Sequence, residues 1–151
     1  MDYAAVRNLP TMFFDQAERL AERPFLWAKH DGAWQSQSWS EVAEQVSALA
    51  RGLRSLGIES GDRVVLVSEN RPKWMIADFA IMAAGAITVP AYITNSTDDH
   101  LYLLCDSGAK GVIVSTAALA RRLLPAAQGC PETEFAICME PPEDPPEQGV
   151  R

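Results

Sequence analysis

Hydrophobic and polar residues follow one another along the chain in the pattern of alternating strands and helices. Val64 to Val67 is a continuous apolar run rich in β-branched residues, which is typical of a strand covered on both faces. The turn dipeptide Gly61-Asp62 precedes this run, and Asn70 as a cap followed by Pro72 favours the start of a helix. A strand that leads directly into a helix predicts the opening of a β–α–β unit.

The segment before this strand predicts two helices and a hairpin. Thr11 is placed to cap a helix that runs to about residue 23. Asp31-Gly32 predicts a tight hairpin turn between strands at 25–30 and 33–38. Ser38 and Glu41 have the spacing of a capping box, apolar residues then repeat at helical spacing, and Gly57 ends the helix.

Three more apolar runs after residue 74 predict strands, and the segments between them predict helices. The strands are expected at 87–92, 111–115 and 135–139, and the longer helices at about 72–84 and 117–127, with Thr116 as cap of the latter. Connections of this length suit parallel crossovers. The sequence therefore predicts an α/β fold, with a mostly parallel sheet, helices on both faces and a small N-terminal hairpin near residues 25 to 38.

The composition predicts one domain and an acidic end. A chain of 151 residues that is 48% hydrophobic can bury a substantial core. Residues 1–139 are predicted to form this domain. Residues 140–151 are rich in proline and acidic side chains, with no core-forming residue, which predicts a linker or a disordered end.

Charge and cysteine content exclude several classes of protein. The net charge is −7 and no basic patch is present, which argues against nucleic acid as a partner. The three cysteines are far apart, which predicts buried free thiols in a reducing compartment, with cytoplasm as the default location. The two histidines have no neighbouring metal ligand, so no metal site is expected.

One segment has the length of a membrane-spanning helix. Residues 74–93 are nearly all apolar, but Asp78, Gly85 and Pro90 interrupt them. A charged residue at a bilayer centre costs about 2.5–3.5 kcal/mol. We therefore predict a buried helix followed by a buried strand and no transmembrane segment, while peripheral contact with a membrane stays open.

Few residues have the pattern of an active site. The sequence has no Gly-x-Gly-x-x-Gly, Walker or Gly-x-Ser-x-Gly motif. Asp98-Asp99-His100 fits an acid–base group, although acidic residues in the first turn of a helix are the favoured interpretation. Arg121 and Arg122 fit a phosphate contact or the solvated face of a helix. The residues themselves indicate a soluble α/β domain without a complete catalytic set.

An ordered series of short motifs resembles the N-terminal region of the acyl-adenylate-forming enzymes, the AMP-dependent synthetase and ligase superfamily. The similarity covers roughly residues 9 to 139 and is closest to the long-chain fatty acyl-CoA synthetases. The motifs are Ser38-Trp39-Ser40-Glu41-Val42, Gly61-Asp62-Arg63-Val64, Glu69-Asn70-Arg71-Pro72-Lys73-Trp74, Ala84-Gly85-Ala86, Val89-Pro90-Ala91-Tyr92-Ile93-Thr94 and Asp106-Ser107-Gly108-Ala109-Lys110.

The resemblance implies a ligase that uses ATP, Mg²⁺ and CoA to activate a fatty acid, first as an acyl adenylate and then as a thioester. The Ser/Thr/Gly-rich phosphate loop ending in Pro-Lys-Gly that the family carries is not among these 151 residues. The resemblance therefore implies an N-terminal portion that is inactive alone, holds no cofactor and has the remainder of the ligase, or a complementary chain, as its partner.

The resemblance implies few site residues within this chain. No catalytic residue carries over, and Arg121 and Arg122 match basic residues that meet the CoA phosphates in some relatives. The alternative to a portion of a ligase is a stand-alone, non-catalytic α/β module that binds a ligand or a partner.

Overall fold

The structure, a computed structural model, describes residues 7–140. Apart from Glu140, the predicted acidic end lies outside the described residues. Six strands and five helices are present in this part of the chain. In chain order they are α1 (Leu9–Leu20), β1 (Pro24–His30), β2 (Ala33–Ser38), α2 (Trp39–Ser55), β3 (Arg63–Val67), α3 (Pro72–Ala83), β4 (Ile87–Ala91), α4 (Thr97–Ser107), β5 (Ala109–Val114), α5 (Ala117–Gln128) and β6 (Phe135–Cys138).

The strands form two sheets, as the pattern of apolar runs predicts. The larger sheet has the order β4-β3-β5-β6 and all three pairings are parallel. The smaller sheet is the antiparallel hairpin β1-β2, in which Lys29 pairs with Trp34 and His30 with Ala33. Asp31 and Gly32 between the strands have φ angles of 48° and 82°, which is the left-handed backbone that a two-residue hairpin turn requires. The predicted α/β fold class is confirmed.

Alternating residues of β3 build two separate cores. Val64 and Leu66 pack with residues of α1, α2 and α3 on one face of the sheet. Val65 and Val67 pack with α4 and α5 on the other face. All four side chains are fully buried, because a parallel strand with helices on both faces has no side that meets water. This arrangement confirms the prediction of helices on both faces.

The helix ends confirm some of the predicted caps and correct others. Ser38 accepts a hydrogen bond from the Glu41 N–H at 3.2 Å, and the Glu41 carboxylate accepts one from the Ser38 N–H at 2.7 Å. Thr116 also caps its helix, as predicted. The prediction for Thr11 was wrong: the helix begins at Leu9, and Asn8 caps it by accepting from the Thr11 N–H at 2.9 Å.

The predicted cap at Asn70 was also wrong. Arg71 is the N-cap of α3, with φ −154° and ψ 159° and no side-chain cap hydrogen bond. Pro72 is the reason, because a proline forces the residue before it into an extended backbone. An extended residue directly before the first helical turn is by definition the N-cap.

The apolar segment 74–93 divides into a helix and a strand, as the sequence predicts. It contains most of α3 and all of β4. The prediction that the strand is buried was wrong, because β4 is the edge strand of the larger sheet and Ile87 is 53% exposed. No helix within residues 7–140 is both long enough and apolar enough to cross a bilayer.

Two glycines offer a matched test of the packing of the sheet. A Cβ on Gly111 in β5 would overlap the ring of Phe135, which lies across the strand from it. We expect Gly111→Ala to destabilise the fold by about 1–3 kcal/mol because a close-packed core cannot absorb the extra methyl group. Urea unfolding followed by circular dichroism measures this change.

Gly52→Ala is the control for that variant. A Cβ on Gly52, inside α2, meets no atom within 4 Å, and alanine is favoured over glycine in a helix by about 0.5–1 kcal/mol. We expect this variant to be at least as stable as the parent. Equal effects of the two substitutions would contradict the packing of Phe135 on β5.

Candidate functional site

The crossover connections open a crevice between the carboxyl ends of β3 and β5. The helix that follows β3 packs on one face of the sheet, where Ile76 and Ala80 join the first core. The helix that follows β5 packs on the other face, where Leu119 and Leu123 join the second core. Ligands of open parallel α/β sheets bind at such a switch point, where adjacent strands send their helices to opposite faces.

A cleft lies at this edge of the sheet, with the hairpin β1-β2 as its second wall. Its volume is about 920 Å³. The hairpin contributes residues 26–30 and 34–37, among them two exposed tryptophans, and the sheet edge contributes polar and charged residues. The principal side chains of the cleft are Trp27, Lys29, Trp34, Glu69, Asn70, Arg71, Lys73, Thr116 and Glu140.

A hydrogen bond joins the two strands at the floor of the crevice. The Ser115 hydroxyl, which is fully buried, donates to Oε2 of Glu69 at 2.6 Å. This bond is the main cause that holds the pKa of Glu69 below its usual range, and the positive charge of Arg71 lowers that pKa further. Glu69 is therefore an anion at neutral pH and a weak proton acceptor.

Two basic residues at the start of α3 hold the end of β6 beside the crevice. Nη1 of Arg71 lies 2.7 Å from Oε1 of Glu140, with both side chains partly exposed. Nζ of Lys73 donates to the Met139 carbonyl at 3.1 Å. An exposed pair of this kind stabilises the fold by about 1 kcal/mol or less. Its larger effect is positional, because it brings the end of β6 beside the start of α3.

The two arginines predicted to contact CoA lie on α5, outside the residues that line the cleft. Arg121 is exposed. Nη2 of Arg122 donates to the Ile93 carbonyl at 2.7 Å and so holds the segment after β4 against α5. Tyr92 in this segment is 80% exposed. The two arginines thus lie near the carboxyl edge of the sheet, on the face of the second core.

Asp98-Asp99-His100 forms a helix start rather than an acid–base group. The Asp99 carboxylate accepts from the Ser96 N–H at 2.9 Å and from the Ser96 hydroxyl at 2.7 Å, and the backbone bond is the main cause that lowers the Asp99 pKa. His100 is fully buried, and neither ring nitrogen has a hydrogen-bond partner among residues 7–140. Burial lowers the pKa of His100. The interpretation as first-turn capping is confirmed.

The residues that line the crevice were missed by the sequence reasoning, although a signal for them exists. Glu69 lies two residues after the end of β3, and Ser115 directly follows β5. Polar residues at the carboxyl ends of parallel strands meet at one edge of the sheet. Within residues 7–140, no group of three or more histidine, cysteine, aspartate or glutamate side chains could hold a metal ion.

The fold and the crevice define a class of protein: a parallel α/β domain with a cleft at the carboxyl edge of its sheet. Comparison with known families narrows this class. Residues 13–150 match the family described as AMP-binding enzyme, and the chain belongs to this family, in whose domain it corresponds to the N-terminal region.

Individual relatives agree with the family match. The chain is 46% identical over 86 residues to the long-chain-fatty-acid–CoA ligase FadD15 of Mycobacterium tuberculosis, covering 57% of this chain and 14% of that protein. It is 35% identical over 127 residues to the phenylacetyl-CoA ligase epaB of Aspergillus niger, covering 82% and 23% respectively. The chain thus spans less than a quarter of the length of these relatives.

A solved structure shows the same fold. A benzoate CoA ligase from Burkholderia xenovorans superposes with a TM-score of 0.77 at 24% identity, over 90% of this chain and 26% of that one. The predicted resemblance to the acyl-adenylate-forming enzymes is confirmed.

Because the Ser115–Glu69 hydrogen bond involves a carboxylate, we expect the effect of Ser115→Ala on stability to depend on pH. Because the folded-state pKa of Glu69 is lowered, the bond stabilises the fold fully above the ordinary carboxyl pKa and loses its effect as the pH falls through the folded-state pKa. We expect a loss of about 1.5–3 kcal/mol at pH 7 and a smaller loss at pH 3. Urea unfolding at both pH values measures it.

Ser68→Ala is the matched control for that effect. The Ser68 hydroxyl donates to the Glu69 carbonyl at 2.9 Å, not to its carboxylate. We expect its effect on stability to be the same at pH 7 and pH 3. A pH-independent loss in Ser115→Ala would contradict the assigned role of the hydrogen bond.

Proposed function

We propose that this chain is the N-terminal portion of a long-chain-fatty-acid–CoA ligase. The enzyme as a whole would form an acyl adenylate from ATP and a fatty acid and then transfer the acyl group to the CoA thiol. The observation that carries the proposal is the 46% identity to a ligase of that name over 86 residues. The family match over residues 13–150 supports the same reaction class.

We further propose that these 151 residues do not catalyse either step alone. In a ligase of this kind, ATP and Mg²⁺ require groups that neutralise the phosphates. The crevice supplies few groups for that task, because Arg71 is paired with Glu140 and Glu69 carries a negative charge. Lys73 donates to the Met139 carbonyl, and among the described residues Lys29 is the remaining lysine or arginine that lines the cleft. Residues 1–139 would serve as one structural unit of the enzyme, and the remainder of the ligase, or a complementary chain, would be its partner.

The α5 arginines are our proposed contact with the CoA nucleotide. Arg121 presents an exposed guanidinium, which suits a phosphate group. Arg122 keeps donors beyond the one that binds the Ile93 carbonyl. Tyr92 directly precedes Ile93, whose carbonyl binds Arg122, and its exposed ring offers a flat face of the kind on which a purine base stacks. Two cations on one helix, with an exposed aromatic residue next to the Arg122 contact, support a nucleotide phosphate as the ligand.

A chimera tests the function. The matched segment of the mycobacterial FadD15 is replaced by this chain, and pyrophosphate release and acyl-CoA formation are measured with a long-chain fatty acid. We expect activity within about tenfold of the parent ligase, which corresponds to about 1.4 kcal/mol in the barrier. The FadD15 remainder without an N-terminal segment should be inactive, as should this chain alone.

Two outcomes would overturn the proposal. Acyl-CoA formation by the isolated 151 residues would show that the chain is catalytic alone. A folded but inactive chimera would favour a stand-alone binding module instead.

The same chimera tests the nucleotide contact. We expect Arg121→Ala together with Arg122→Ala to raise the KM for CoA about tenfold or more, because each charged contact with a phosphate contributes about 1.5–3 kcal/mol. The KM values for ATP and fatty acid should stay unchanged. Arg51→Ala on the exposed surface of α2 is the control, and an equal effect of that variant would refute the assignment.

A further inference from the structure

Two cysteines from different helical segments meet at the amino edge of the sheet. Cys105 lies in the last turn of α4, and Cys130 lies two residues after the end of α5. The sequence predicted buried free thiols, but only Cys130 is buried and Cys105 is exposed. Cys130 is the main cause that raises the pKa of the Cys105 thiol, which indicates that the two side chains are close to each other.

Contacts on both sides of the two cysteines support this proximity. One turn before Cys105, Leu101 packs so closely on Gly129 that a Cβ there would lie 3.1 Å from its Cδ1. One turn after Cys105, a Cβ on Gly108 would lie 2.8 Å from the Glu132 carboxylate. The end of α4 therefore lies beside residues 129–132, the segment that contains Cys130.

We propose that Cys105 and Cys130 form a reversible disulfide when the protein meets a low-molecular-weight disulfide such as oxidised glutathione. The thiolate of exposed Cys105 attacks the small disulfide, which forms a mixed disulfide and releases one glutathione thiolate. The Cys130 thiolate then attacks the Cys105 sulfur and releases the second. The protons of the two protein thiols go to the two glutathione thiolates, so the protein is oxidised and the small disulfide is reduced.

The rate of the first step depends on the local electrostatics. The interaction with Cys130, partial desolvation and the Glu132 charge all raise the pKa of the Cys105 thiol. Because the thiolate is the nucleophile, the reaction should accelerate as the pH rises above neutral. We therefore choose a pH of about 8.5, near the pKa of an ordinary thiol, for the test.

The disulfide would fasten α4 to the turn before β6 without closing the crevice. Both cysteines lie at the amino edge of the sheet, whereas the crevice opens at the carboxyl edge. Cys138, the last residue of β6, lies at the carboxyl edge and should remain free. The bond would restrict the unfolded chain between residues 105 and 130 and so favour the folded state.

The test oxidises the folded chain with oxidised glutathione and maps the product without reduction. Trypsin cuts after Lys110 and Arg122, and a glutamate-specific protease cuts after Glu132 and Glu134, so the peptides of the three cysteines separate. We expect titratable thiols to fall from three to one, with a peptide pair linked through Cys105 and Cys130, and full recovery of the thiols with dithiothreitol.

Three variants sharpen the result. Cys138→Ser should form the same link. Cys130→Ser should leave Cys105 with a bound glutathione, and Cys105→Ser should give no link. A lasting glutathione adduct on Cys105 of the parent chain, a link that involves Cys138, or a disulfide between two chains would overturn the proposal, as would oxidation that proceeds equally well in urea.

Discussion

The parallel pairing of β3 with β5 is the constraint on which the other elements depend. Both strands are covered on both faces, so their side chains supply two cores at once, and helices must pack on each side. Since a crossover between parallel strands is right-handed, the strand order decides which face each helix takes. The helices that follow β3 and β5 lie on opposite faces, and the crevice at their carboxyl ends is a direct consequence of that divergence.

Arg63, at the start of β3, attaches this strand to the end of α4, a helix of the second core. Nε of Arg63 donates to the Ser107 carbonyl at 2.6 Å, and Nη2 donates to the Gly108 carbonyl at 2.7 Å. The last carbonyls of a helix have no partner within the helix itself, so the guanidinium satisfies the end of α4. Gly108, with φ 58°, reverses the chain into β5 at this point. Arg63 therefore begins β3 and also helps to end α4, the helix that leads into the neighbouring strand β5.

Local signals in the sequence predict most of the fold, while the crevice depends on contacts that no local signal contains. Ser38 and Glu41 are three residues apart, so their capping box can be recognised from the sequence. Asn8 and Thr11 are also three residues apart, but either residue could be the N-cap of α1. The structure shows that Asn8 is the cap. Ser115 and Glu69 are 46 residues apart. Their contact requires the order of the strands, which apolar runs alone do not specify.

The chemistry of the crevice explains why family membership and catalysis are separate questions for this chain. A catalytic carboxylate needs a pKa near the working pH, whereas the Ser115 hydroxyl lowers the pKa of Glu69. A phosphate site needs cations that are free to bind, whereas Arg71 already faces Glu140 at 2.7 Å. Both groups have partners on the same sheet edge, and these contacts join β3, β5 and β6. In the ligase that we propose, the crevice would form one wall of the active site, and other residues of the enzyme would supply the reacting groups.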